Sequence, residues 1–170
     1  MQNLSKPSKI FLFLTELFFV LWLGGYVLRQ IVVYQFFEPE NLSLKLSIGS
    51  SSLSDILLII LPVFVFNIVT YAGFLVTFIV FLFISKISLK KEGWLFISVL
   101  IVAVCAPFEI YLLAKDYKIA TTIYSMSFDP TAVMNEIRER LVTLSSFSLI
   151  EIVSFIGIIF LSVFQPLKRA

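Results

Sequence analysis

The sequence predicts an all-α polytopic membrane protein, an up-down bundle of four transmembrane helices. The 170-residue chain is 59% hydrophobic and 14% charged, with a mean hydropathy of +1.02, whereas soluble domains are about 45–50% apolar and about 25% charged. Four apolar stretches are each long enough to cross a hydrocarbon core of ~30 Å, which takes ~20 helical residues. They lack the apolar–polar alternation of membrane β-strands, so helices are expected to satisfy the backbone in lipid.

The predicted spans belong to a single domain over residues 1–170 and cover about 10–37, 55–84, 94–114 and 141–164. Lys6 and Lys9 precede the first span as in a signal peptide, but its apolar run exceeds the ~7–15 residues of a signal sequence. We therefore expect an uncleaved span. Pro62 and Pro107 lie inside the second and third spans, where proline removes a backbone hydrogen bond and favours a kink.

The last helix is predicted to begin before its apolar part. Asp129 followed by Pro130 is typical of a helix start, with an acidic N-cap and proline at the first helical position. The segment 134–140 would then project from the membrane as a solvated helix end. Glu136 and Arg140 are four residues apart in the favourable order for a helical ion pair.

The distribution of cations predicts the orientation. Consecutive spans alternate sides, so the N-terminus, the turn between spans two and three and the C-terminus share one face, on which Glu92 is the one acid. Short segments with clustered lysine and arginine stay in the cytoplasm. We therefore expect both termini to be cytoplasmic, in a multi-pass protein of the inner (cytoplasmic) membrane. The cations of this face are Lys6, Lys9, Lys86, Lys90, Lys91, Lys168 and Arg169.

A few polar residues fall inside the spans, where ionisable groups are costly and usually face the bundle interior. Counted at ~1.5 Å per residue from the cytoplasmic end of each span, Arg29, Asn67, Glu109 and Glu151 lie at depths of ~28, ~25, ~22 and ~20 Å. We expect these four to form a buried polar layer in which Arg29 is held between the two glutamates by charge-assisted bonds. The layer could be a structural clamp, a ligand, proton or ion site, or a contact with another subunit. An alternative for Arg29 is snorkelling to the outer interface.

Other polar and small residues have less specific expectations. Glu16 lies apart from the layer at a depth of only ~9 Å. Lys115 and Asp116 are expected to mark the outer end of the third span. Small residues let membrane helices approach closely, and the glycines expected to do so are Gly24, Gly25, Gly73 and Gly157.

The composition argues against several kinds of active site. The chain has no histidine, so it cannot build a bis-His haem site, a His-ligated zinc site or a Ser-His-Asp triad from its own residues. Cys105 is the one cysteine and is expected to act as a small apolar residue in a helix. No phosphate-binding or dinucleotide-binding motif is present, and a net charge of +2 is too small to indicate nucleic acid. We expect no catalytic site, no metal and no cofactor.

The stretch Leu21-Trp22-Leu23-Gly24-Gly25 resembles the Trp/Gly-Gly signature of small four-helix membrane proteins related to the transmembrane protein 205 family. The segment Glu136–Leu144 before an apolar last helix is also similar to their layout. This resemblance implies a four-helix bundle and assigns no site residue.

Three functions are compatible with these features. The first is a non-catalytic integral membrane subunit or accessory protein, in contact with lipid and with other membrane subunits or a second copy; it predicts a dry, fully paired polar layer. The second is a small transporter, sensor or lipid-handling protein that uses the polar layer, which predicts a water-accessible path to Glu109 or Glu151. The third is a membrane enzyme that uses these two acids.

Overall fold

The structure is a computed structural model that describes residues 4–49, 52–125 and 127–166. Within these residues it contains five helices. Four of them are long and apolar enough to cross a membrane, and they confirm the predicted all-α membrane bundle. The helices are α1 (Lys6–Tyr34), α2 (Leu53–Ser85), α3 (Gly93–Tyr124), α4 (Pro130–Val142) and α5 (Phe147–Phe164), of which α4 is the one too short to span.

The predicted fourth span is divided into two helices, so its expected start at residue 141 is wrong. The chain leaves the helical conformation at Thr143, whose ψ is 117°, and passes through Leu144 with a left-handed φ of 55°. Serine and threonine hydroxyls compete with the backbone for hydrogen bonds, which weakens a helix where several of these residues lie close together. The spanning helix α5 therefore begins at Phe147.

Helix α4 is an amphipathic helix that packs on the bundle, not the solvated projection that the sequence suggested. Its start agrees with the prediction, because the Asp129 side chain accepts a hydrogen bond of 2.9 Å from the Thr131 backbone N–H. Its buried positions fall at helical spacing on one face. They are Val133, Met134, Ile137, Arg140 and Leu141.

Helix α3 continues to Tyr124, about ten residues beyond the expected end of the third span. The expectation that Lys115 and Asp116 mark this end is wrong. Buried positions continue at spacings of three and four residues through Asp116 and Ile119 to Ile123, so the same face of the helix stays inside the protein.

Two apolar clusters fill the bundle on either side of its polar residues. Trp22 is fully buried at the centre of one cluster. Its ring is tilted against Tyr26 and Tyr71, stacked with Phe74 and edge-on to Phe155. The second cluster joins α4 to the adjacent ends of the first three helices. Its buried members include Val33, Leu57, Phe64, Ile119, Ile123, Met134 and Ile137.

At the end of the bundle away from α4 lie the start of α1, the α2–α3 turn and the end of α5. Phe81 and Trp94 are buried there, with Phe11 and Leu161 packed against them. The lysines of the predicted cytoplasmic face that precede Lys168 therefore belong to one end of the bundle. Lys168 and Arg169 lie outside the described residues, and the side of the membrane that this end faces remains a prediction.

Candidate functional site

Three buried charged groups meet where α4 covers the bundle. The Asp116 carboxylate on α3 is fully buried. It accepts one hydrogen bond from Nη1 of Arg29 on α1 and another from Nε of Arg140 on α4, with 3.0 Å between Nε and Oδ1. Bonds between guanidinium and carboxylate are among the strongest hydrogen bonds in proteins. This ion triad joins α1, α3 and α4.

Aromatic rings also surround the Arg29 guanidinium. Its carbon lies 5.0 Å from the ring centroid of Tyr26 and 5.8 Å from that of Phe64, within the range of cation–π attraction. Arg29 is 2% exposed, so the alternative of snorkelling to the interface is excluded. Its Nη2 atom has no hydrogen-bond partner among the described residues.

A pair of buried glutamates lies beside the triad. Glu109 of α3 and Glu151 of α5 are both fully buried, and the two carboxyl groups are close enough to influence each other electrostatically. All four carboxyl oxygens lack a donor among the residues that the structure describes. Leaving a buried polar atom unpaired costs about 1–3 kcal/mol and more for a charged group. The pair is therefore the least satisfied part of the buried polar cluster.

A hydroxyl relay connects α1 with α5 next to this pair. Ser148 Oγ accepts hydrogen bonds of 3.1 Å from the Tyr26 hydroxyl and from Gln30 Nε2. The Tyr26 hydroxyl is also a close neighbour of the Glu151 carboxyl. Tyr26, Gln30 and Ser148 thus form a small hydrogen-bonded group between α1 and α5.

Asn67 belongs to a deeper level than the ion triad. Its Nδ2 donates to the Val63 carbonyl at 2.9 Å and to the Gly25 carbonyl at 3.3 Å. Gly25 is one helical turn from Arg29 along α1, so Asn67 supports the α1–α2 contact. The four residues of the predicted layer, Arg29, Asn67, Glu109 and Glu151, are all buried.

The arrangement around Arg29 also differs from the prediction. Its carboxylate partner is Asp116, and the expected placement between two hydrogen-bonded glutamates is wrong. Asp116 and Arg140 are the functional residues that the sequence interpretation missed. Asp116 follows Glu109 by seven residues, a spacing that returns to the same helix face, so helical periodicity could have found it.

The surface contacts of α4 differ from expectation because Arg140 points inward. Glu136 pairs with Lys118 of α3 at 2.6 Å and not with Arg140. Lys115 Nζ donates to the Thr143 hydroxyl at 3.3 Å, and Arg138 donates to the Asn41 carbonyl at 3.2 Å. Helix α4 is thus held by one buried and several exposed polar contacts.

The four glycines expected at helix contacts divide into two groups. A methyl group added at Gly25 would lie 2.8 Å from the Phe66 ring, and one added at Gly73 would lie 2.6 Å from the Phe18 ring. Glycine is therefore needed at these two positions, because a larger residue would collide with these rings. Gly24 and Gly157 have no atom within 4 Å of such a methyl, so the expectation of close packing is wrong for them.

A small cavity of about 10 Å³ lies beside the two arginines and Gln30, under α4. A volume of ~10–15 Å³ holds about one water molecule when two or more polar partners surround it. Two guanidiniums and an amide satisfy that condition. The cavity therefore has about the volume of one water molecule at the edge of the polar cluster.

The chemistry available in this site is proton exchange and ion pairing. Among residues 4–49, 52–125 and 127–166, no group of three cysteine, aspartate or glutamate side chains could hold a metal ion. Cys105 is buried and unbridged on α3, one turn from Glu109. Comparisons with protein-family models, with curated proteins and with solved structures give no match to the chain. The resemblance to the transmembrane protein 205 family therefore stays a prediction.

Proposed function

We propose that this protein is a small proton-binding transporter or sensor of the membrane, in which Glu109 and Glu151 together take up and release one proton. The observation that carries the proposal is the burial of both carboxyls, side by side, with no hydrogen-bond donor among the described residues. Intramembrane ionisable residues mark functional sites by default. A purely structural clamp would be expected to pair its polar atoms.

The charges around the pair support the uptake of a single proton. Arg29 and Arg140 carry two positive charges, whereas Asp116, Glu109 and Glu151 carry three negative charges when all are ionised. One proton on the glutamate pair makes the cluster neutral, and two adjacent carboxyls share a proton more readily than they carry two charges. Release of that proton leaves one uncompensated charge inside the membrane, which is costly.

The neighbours of the pair on each helix are consistent with this role. Several other titratable or charged groups interact electrostatically with the two glutamates. They are Tyr26 and Arg29 of α1, Tyr71 of α2, Cys105 and Asp116 of α3, and Arg140 of α4. The Tyr71 hydroxyl has no partner among the described residues. We expect protons to reach the pair by way of the α4-side cavity and the Tyr26–Ser148 hydrogen bond.

Infrared difference spectroscopy of the protein in lipid vesicles tests the proposal. We expect one carbonyl-stretch band of a protonated carboxyl that disappears as the pH rises, and that is absent from or shifted in both Glu109→Gln and Glu151→Gln. The matched control is Glu139→Gln, which removes an exposed glutamate of α4 and should leave the band unchanged. A folded wild-type protein in which no titrating carboxyl band is altered by either Glu109→Gln or Glu151→Gln would overturn the proposal.

A second candidate, a non-catalytic accessory subunit of a larger membrane complex, is favoured by the surface of α5. Of its 18 residues, Glu151 and Phe155 are the two buried ones. Its remaining apolar surface fits another membrane helix as well as it fits lipid. Affinity purification in mild detergent tests this role: a stoichiometric membrane partner that is lost when Ile150 or Val153 is replaced by tryptophan supports it, and recovery of the chain alone contradicts it.

A further inference from the structure

We propose that the half of the bundle distant from the ion triad binds one acyl chain of an ammonium-headed phospholipid of the phosphatidylethanolamine type. A cavity of about 480 Å³ lies there between α1, α2, α3 and α5. Its wall is mainly aromatic and aliphatic and includes Phe19, Phe78, Trp94 and Ile158. This site is separate from the glutamate pair and does not depend on the function proposed for it.

The depth of the cavity matches one leaflet of a bilayer. Trp94 lies at the end of the bundle where the α2–α3 turn is found, and Val102 lines the cavity eight residues further along α3, ~12 Å deeper at the helical rise. Half of a ~30 Å hydrocarbon core is ~15 Å. Since tryptophan favours the membrane–water interface, the cavity runs from the headgroup level toward the middle of the membrane.

The cavity is open to the bilayer between α1 and α5. These two helices make few contacts with each other. Val20 of α1 and Val163 of α5 both line the cavity, and their side chains are 62% and 69% exposed. A lipid chain can therefore enter sideways from the surrounding leaflet.

The polar residues of the cavity indicate the headgroup. Leu12 packs against the cluster that contains Trp94, and Glu16 lies one turn deeper on α1, exposed and on the cavity wall. Ser162 lines the same region from α5. The side chains of a helix tilt toward its N-terminus, so the Glu16 carboxylate reaches back toward the headgroup level. There it complements an ammonium group and repels an anionic headgroup, so phosphatidylethanolamine is favoured over phosphatidylglycerol.

Trp94 provides an intrinsic reporter, because its ring lines the cavity while Trp22 is fully buried in the core. The full chain is reconstituted in phosphatidylcholine vesicles that contain a minor fraction of phosphatidylethanolamine or phosphatidylglycerol with brominated acyl chains, which quench nearby tryptophan. Fluorescence that remains in Trp94→Phe defines the contribution of Trp22. We expect stronger quenching of Trp94 by brominated phosphatidylethanolamine than by brominated phosphatidylglycerol at equal fraction.

Two variants separate the chain site from the headgroup preference. Ser162→Phe fills the cavity and should abolish the quenching of Trp94 by both lipids. Ser154→Phe, the matched control on the same helix away from the cavity, should behave like the wild type. Glu16→Gln should retain the quenching and lose the preference between the headgroups.

Equal quenching in folded Ser162→Phe and Ser154→Phe proteins would overturn the chain site. Equal quenching of the wild type by the two brominated lipids would overturn the ammonium-headed assignment. If Ser162→Phe does not fold, the pair Ile159→Phe, in the cavity, and Ile156→Phe, outside it, gives the same comparison. None of these variants alters Glu109 or Glu151, so this experiment fails or succeeds independently of the infrared titration.

Discussion

Asp116 and Arg140 form a buried ion pair, with 3.0 Å between Oδ1 and Nε, that connects spanning helix α3 to the short amphipathic helix α4. Asp116 also binds Arg29, so one carboxylate on α3 neutralises guanidiniums from two other helices. Through this carboxylate, the position of α4 is coupled to the polar interior of the bundle.

Removing the Asp116 charge should strongly destabilise the protein. In Asp116→Asn the two arginines remain buried without their carboxylate, and breaking a buried ion pair from one side costs about 3–5 kcal/mol. The free energy of unfolding, measured in mixed micelles with increasing denaturing detergent, should fall by about this amount. Glu139→Gln removes an exposed charge of α4 and should leave the unfolding curve near that of the wild type; a similar curve for Asp116→Asn would show that the triad adds no stability.

Arg140 should hold α4 against the bundle. In Arg140→Met the side chain keeps much of its length but loses the bond to Asp116, and a decrease of about 3 kcal/mol in the free energy of local opening is expected for a broken buried pair. Hydrogen–deuterium exchange of residues 130–142 measures it. Arg138→Met, which removes the exposed bond to the Asn41 carbonyl, serves as the control, and equal exchange in the two variants would contradict a special role for Arg140.

Hydropathy along the sequence predicts apolar spans, but it does not show which faces of the helices are buried, and this explains which parts of the fold were predicted. Membrane spans are a property of consecutive residues, so the four spanning helices were predicted and confirmed. The end of α3 was missed because Lys115 and Asp116 read as a solvated boundary. The break before α5 was missed because Leu141 and Val142 extend the apolar run that follows Thr143.

The candidate site could be predicted only in part for a related reason. Depth counting identified four buried polar residues, because each lies within a long apolar run. The partners Asp116 and Arg29 are 87 residues apart, and Asp116 and Arg140 are 24 apart, so their pairing depends on tertiary packing. Arg140 also lies beside exposed charged residues, which hid its position on the buried face of α4.

Adjacent glycines on α1 should respond in opposite ways to a methyl group. In Gly25→Ala the methyl would meet the Phe66 ring at 2.8 Å, and overpacking of this kind typically costs about 1–3 kcal/mol. In Gly24→Ala the methyl meets no atom within 4 Å, and replacing glycine by alanine inside a helix is favourable by roughly 0.5–1 kcal/mol. Thermal unfolding of both variants measures the difference, and equal changes would contradict the close contact at Gly25.

The Ser148 hydroxyl should matter more than either of its donors. Ser148→Ala leaves both Tyr26 and Gln30 without the acceptor that they share, whereas Tyr26→Phe removes a single bond. A hydrogen bond contributes about 0.5–1.5 kcal/mol, and an unsatisfied buried donor costs about 1–3 kcal/mol. We expect the larger loss of unfolding free energy in Ser148→Ala, and a double variant whose loss is smaller than the two single losses together. Additive losses would show that the two bonds are independent.

The predicted topology places Lys90 and Leu46 on opposite sides of the membrane. Lys90 lies exposed in the α2–α3 turn and Leu46 is fully exposed in the α1–α2 connection, and one span separates these two segments. Cys105 is buried and is replaced by alanine in both variants. The cysteine introduced at either position is then the thiol that the reagent can label. If the lysine-rich end is cytoplasmic, a membrane-impermeant maleimide added to intact cells should label Leu46→Cys and should label Lys90→Cys only after the cells are opened. The reverse pattern would invert the orientation while preserving the four spans, and labelling of both positions in intact cells would contradict the span between them.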